Sequence, residues 1–174
     1  MKKMLTVLTI MLCSLSLSAS NLDGVYQLVV ENSAGQELSA GTGFYVNRGT
    51  NTTPLILTSY HLLNSRLLEA DSVRLKSNKD VDLYVLAHDE LNDVLVLEPS
   101  KQLGVLSFDI TTSCSGPYTS IGYHKGRLIA AEFDGMEYSN IDGVIKIPSY
   151  LAKGFSGAPI FNDKARICGM VPFK

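Results

Sequence analysis

The spacing of β-rich runs constrains this chain more than any other feature. Apolar or alternating stretches occur at 24–31, 39–46, 54–59, 71–76, 81–87 and 93–98, each bounded by Gly, Asn, Asp or Ser. A connector without that pattern runs from 99 to about 114, and further runs follow at 118–122, 127–133, 143–147, 158–161 and 166–171. Runs this short between turn formers read as strands, because an amphipathic helix needs about ten or more residues to bury one face. Only the turn after His61 and the stretch 64–70 read as helical, and both are short. Many short strands without alternating helices predict an all-β barrel or sandwich.

Residues 1–20, MKKMLTVLTIMLCSLSLSAS, stand apart from this pattern. A basic start at Lys2 and Lys3, an apolar middle and a small Ser18-Ala19-Ser20 end occur in the order of a secretory signal peptide. The apolar middle, residues 4–17, falls short of the ~20 residues that span a bilayer. Leu12 before Cys13 argues against a lipid anchor. The chain is therefore expected to be secreted or periplasmic, with no membrane association once the leader is removed. Export would leave Cys114 and Cys168 in an oxidising compartment. At this stage a disulfide between them and a pair of reduced thiols both stand open, because spacing in sequence says nothing of spacing in space. A formal net charge of −2 gives no basic excess of the kind that marks a nucleic-acid partner.

Three segments carry chemistry. Leu57-Thr58-Ser59-Tyr60-His61 ends a strand on a histidine, whose ordinary pKa suits proton transfer near neutrality. Asp93 opens the apolar run Val94-Leu95-Val96-Leu97, a place where a carboxylate can be largely buried yet kept ionised by a hydrogen-bonding partner. Lys153-Gly154-Phe155-Ser156-Gly157-Ala158-Pro159 sets a serine in a glycine-flanked turn, where the N–H groups of Gly154 and Ser156 can converge on an oxyanion. Alone, each has a plain structural reading: a strand-end histidine, a turn aspartate, a Gly-rich loop. Together, in the order His, Asp, Ser, they supply a base, the group that orients it and a nucleophile. An α/β-hydrolase is disfavoured on order, since its serine comes first, on its strand–helix alternation, and on its elbow, which wants glycine where Ala158 stands. No His/Cys/Asp/Glu cluster has metal-ligand spacing, and no cofactor is expected. His88 and His124 read as surface or loop residues.

On these motifs the chain resembles chymotrypsin-fold, trypsin-like serine peptidases, and is most similar to the bacterial Deg/HtrA and glutamyl-endopeptidase-like branch. The family's glycine-rich opening strand resembles Gly41-Thr42-Gly43-Phe44-Tyr45-Val46. Its Thr-x-x-His motif matches Thr58 to His61, its Asp-led apolar segment resembles Asp93 to Leu97 with Leu95 in place of alanine, and its Gly-x-Ser-Gly-x-Pro motif matches Gly154 to Pro159. The resemblance implies two antiparallel β-barrels, one over 21–102 and one over 103–174, with His61, Asp93 and Ser156 in the cleft between them. It implies endopeptidase activity on a polypeptide substrate, an oxyanion hole from Gly154 and Ser156, and a side-chain pocket based on the residue six before the serine, Tyr150, flanked by Leu151. That pocket has no carboxylate, so cleavage after small or medium uncharged residues is expected rather than after Lys or Arg.

Two departures accompany the resemblance. Phe155 stands where digestive relatives carry an aspartate that pairs with a new N-terminus. The sequence ends at Lys174, directly after the run 166–171, where the family usually adds a strand. The second barrel is thus expected to lack its last strand and to self-associate through an open sheet edge. The alternative to a working peptidase is an inactive or truncated protease-like binding module.

Overall fold

The computed structural model describes residues 22–46, 55–63, 72–75, 81–101, 108–134, 137–138, 145–146 and 154–172. The leader at 1–20, the stretch 64–70, Tyr150, Leu151 and Lys153 lie outside the described residues.

The first half is a closed six-stranded barrel. Its strands are β1 (Val25–Glu31), β2 (Glu37–Val46), β3 (Leu55–Ser59), β4 (Ser72–Leu75), β5 (Val81–Asp89) and β6 (Val94–Pro99), in the order β1-β2-β3-β6-β5-β4. Antiparallel pairing of β1 with β4, Leu28 opposite Leu75, closes the ring and leaves it without an edge. The interior is filled by Tyr26, Leu28, Val30, Tyr45, Ile56, Val81, Leu83, Leu95 and Leu97, all nearly inaccessible to solvent. β5 leaves this core halfway along. Its register on β6 shifts between Val85 and Ala87, and beyond the bulge its side chains are exposed. The turn between β5 and β6 ends on Asp93, directly before Val94, which pairs with Ser59 at the end of β3.

The second half is also antiparallel and all-β. β7 (Tyr118–His124), β8 (Arg127–Phe133), β11 (Pro159–Phe161) and β12 (Ile167–Met170) form a sheet in the order β12-β11-β7-β8. β9 (Glu137–Tyr138) pairs with β10 (Ile145–Lys146). The pair of two-residue strands includes β9, which no run in the sequence marked. Among the described residues these strands form a half-barrel. The outer edge of β12 is taken at Ile167 by the connector: Thr111 N–H donates to the Ile167 carbonyl at 2.8 Å, and Ile167 N–H to Asp109 at 3.0 Å.

The halves share a core rather than merely touching. Val25, Phe44, Val46 and Leu55 from the first barrel pack with Phe108, Ile121, Phe161 and Ile167 from the connector and second sheet. A second cluster of Tyr118, Phe133, Phe155, Ala158, Ile160 and Val171 lies within the second half. Burial of this kind stabilises by roughly 25 cal/mol per Å² of apolar surface, so the shared core holds the two halves together.

Candidate active site

β3 ends at Ser59 and turns into a short 3-10 segment, Tyr60–Leu63. Leu62 and Leu63 bury into the barrel and anchor the turn, which leaves His61 partly exposed at the seam. Asp93 meets it from the β5–β6 hairpin. The Asp93 carboxylate accepts from His61 Nδ1 at 2.8 and 3.0 Å and from the His61 backbone N–H at 2.8 Å. The Asp93 carbonyl accepts from Tyr60 N–H at 3.1 Å. An ionised carboxylate can only accept, so Nδ1 carries the proton and the Nε2 lone pair is left as a base. Asp93 has φ of +55°, a left-handed conformation uncommon outside glycine. The preceding turn enforces it: the Asp89 carboxylate accepts from Asn92 N–H at 3.1 Å and from Asn92 Nδ2 at 2.6 Å. These two bonds hold the Asp89 carboxyl below its ordinary pKa. Tyr60 is braced from outside by His88, whose ring stacks on it at 5.0 Å and 17°.

Ser156 lies in the turn before β11. Gly154 and Gly157 have φ of +102° and +81°, both outside the range of other residues. A side chain on either would also collide, with the Tyr123 carbonyl at Gly154 and with Thr42 and Thr58 at Gly157. The Ala158 N–H to Phe155 carbonyl bond of 2.7 Å closes the turn, and Gly157 N–H donates to Val171 at 2.9 Å. Hydrogen bonds from the first barrel reach both carbonyls that flank Phe155. Thr42 N–H donates to the Ser156 carbonyl at 2.9 Å, and Thr42 Oγ1 donates to the Gly154 carbonyl at 2.8 Å. The same Oγ1 accepts from Tyr123 N–H at 2.8 Å, so one buried hydroxyl joins β2, β7 and the serine turn.

Gly41 shows how near the two motifs lie. A methyl group built there would sit 2.8 Å from Leu62, next to His61, and 3.0 Å from the Ser156 carbonyl. The histidine turn and the serine turn therefore abut across this glycine. A cleft of about 520 Å³ opens beside it, lined by Gly41, Gly154, Glu37, Tyr123 and Lys125 among others.

The structure thus brings His61 and Asp93 into direct contact and sets Ser156 and Gly154 at the neighbouring turn. It gives Phe155 a role that the motif left open. The ring is 2% exposed, sits in the second core and rests on Gly122, where a methyl group would come within 2.9 Å of it. Where digestive relatives place a carboxylate, this chain drives an apolar anchor into the sheet. Cys114 and Cys168 are free thiols. Thr42, His88 and the Asp89–Asn92 bracket were not singled out by the sequence. Only the glycines flanking Thr42 hinted at a close approach.

Solved structures share this fold. The active form of the Rv3671c protease from M. tuberculosis superposes with a TM-score of 0.65 at 17% identity, covering 86% of this chain and 70% of that one. The serine endoprotease from Yersinia pestis gives 0.69 at 16% identity, covering 90% of this chain and 58% of that one. No curated protein matches by sequence. The sequence model described as trypsin-like peptidase domain matches residues 41–170, from the glycine-rich strand through β12, and the chain belongs to that family.

Proposed function

We propose that this chain is an exported serine endopeptidase that hydrolyses peptide bonds through His61, Asp93 and Ser156. The observation that carries the reading is the clamp of Asp93 on both the ring and the backbone of His61. It fixes the tautomer and the direction of Nε2 beside a serine turn that two hydrogen bonds from Thr42 hold in place. In the proposed reaction Ser156 Oγ attacks the scissile carbonyl carbon while His61 Nε2 takes its proton. Asp93 stabilises the imidazolium that results. The carbonyl oxygen gains its charge between the N–H groups of Gly154 and Ser156. His61 then returns the proton to the departing amine, and water repeats the sequence on the acyl-enzyme.

Residues 1–20 are proposed as a leader removed on export to the periplasm or beyond, and Tyr150 and Leu151 as the base of the side-chain pocket. The experiment that tests the function is labelling of the purified protein with a fluorophosphonate that reacts with activated serines. Wild type should be labelled, while Ser156→Ala and His61→Ala should not. A folded wild type that takes no label would favour a protease-like binding module instead. The mass of the exported protein, expected to begin at Asn21, tests the leader.

A further inference from the structure

We propose that Cys114 and Cys168 close a reversible intramolecular disulfide that ties the inter-barrel connector to β12 and stiffens the Ser156 turn. The two residues come from different segments, yet they meet directly. Cys114 Sγ donates to the Cys168 carbonyl at 3.1 Å, which sets its thiol against β12 at Cys168 itself. The surroundings hold them in that alignment without a covalent link. Thr111 and Asp109 bond to Ile167, the neighbour of Cys168 on β12, at 2.8 and 3.0 Å. On the other side Ser115 Oγ donates to Asp163 at 3.0 Å. Cys114 is exposed and sits outside any strand, so its thiol can turn from the Cys168 carbonyl toward the about 2.05 Å S–S distance that the proposed bridge requires.

The chemistry is two-step exchange with a small disulfide as oxidant. The exposed Cys114 thiolate attacks that disulfide, releases one thiol and forms a mixed disulfide. Cys168 then displaces the second thiol, so two protons and two electrons pass from the protein to the oxidant. Burial and the neighbouring Cys114 push the Cys168 thiol up to about 12, which makes Cys114 the entry point. The consequence for the site runs along β12. Three residues beyond Cys168, the Val171 carbonyl accepts from Gly157 N–H at 2.9 Å and from Ser59 Oγ at 3.3 Å, and Val171 N–H donates to Ala158 at 2.8 Å. A covalent tie on this strand therefore acts on the residues that hold the nucleophile turn.

The test uses the full chain carrying Cys13→Ser, treated with oxidised glutathione or with dithiothreitol. Non-reducing peptide mapping should show one linked Cys114–Cys168 peptide after oxidation. The melting temperature should then exceed that of the reduced form by roughly 10 °C, because the bridge closes a long loop in the unfolded chain. Amide exchange at Gly157 and Val171 should slow. Cys114→Ser, at an exposed position, should melt like the reduced protein and lose both redox effects, and Cys168→Ser should lose them too. Only glutathione adducts or intermolecular bridges, an unchanged melting temperature, or unchanged exchange at Gly157 would overturn the proposal. None of these readouts depends on peptidase activity.

Discussion

Thr42 and Gly154 lie 112 residues apart and share a 2.8 Å hydrogen bond from hydroxyl to carbonyl. The bond fixes the peptide after Gly154, and with it the turn that presents Ser156. Replacing Thr42 by Val keeps the shape but leaves the Tyr123 N–H and the Gly154 carbonyl without their partner. Each partly buried group so orphaned costs about 1 kcal/mol. Thr42→Val should therefore melt lower and lose roughly 10²-fold in kcat through a displaced turn. Thr42→Ser should restore both, as read by thermal unfolding and peptide hydrolysis.

Asp89 offers a test by pH. Hydrogen bonds from the Asn92 side chain and then its N–H lower the carboxyl pKa from the ordinary 3.8. A group depressed in the folded state contributes stability that is present above its unfolded pKa and lost as pH falls through the folded value. Wild type should thus melt above Asp89→Ala at neutral pH. The gap should close as the pH drops below 3.8. A gap that persists in acid would show that the bracket around Asp93 does not depend on the charge.

Phe155 sits one residue before the nucleophile and is buried in the second core. Phe155→Ala should lower unfolding stability by about 3–5 kcal/mol in urea titrations, since the cavity lies against the rigid sheet. Phe155→Asp should be worse, because a carboxylate set among Tyr118, Phe133, Ala158, Ile160 and Val171 is desolvated by an apolar cluster. A mild effect of Phe155→Asp would mean that the pocket opens to water.

Much of this architecture was legible beforehand, for physical reasons that differ along the chain. The six strands of the first barrel stand out because each is a short β-rich run bounded by turn formers. The sequence marks β5 only to residue 87, whereas the strand pairs to Asp89, since a bulge at Val85–Ala87 breaks the alternation while pairing continues. β9 left no trace, because two residues carry no periodicity. His61 and Asp93 could be read from motif and order. The contribution of Thr42, the anchoring of Phe155 on Gly122 and the meeting of Cys114 with Cys168 could not, because each is a contact between residues distant in sequence.

Specificity follows from the proposed pocket. With Tyr150 and Leu151 at its base and no carboxylate, a cationic side chain would be desolvated without a partner. A peptide library should show cleavage after Val, Ala or Leu. Dominant cleavage after Arg or Lys would refute this pocket.

The claim that His61, Asp93 and Ser156 act as one unit is tested most directly by single and combined variants in steady-state peptide hydrolysis. Ser156→Ala or His61→Ala alone should lower kcat by roughly 10⁶, and the double variant should lose little more, because neither group works without the other. Asp93→Asn should keep the fold and lose roughly 10⁴ in kcat, because the imidazole is then held in the wrong tautomer. Losses that multiply in the double variant, or turnover retained in Ser156→Ala, would contradict the account.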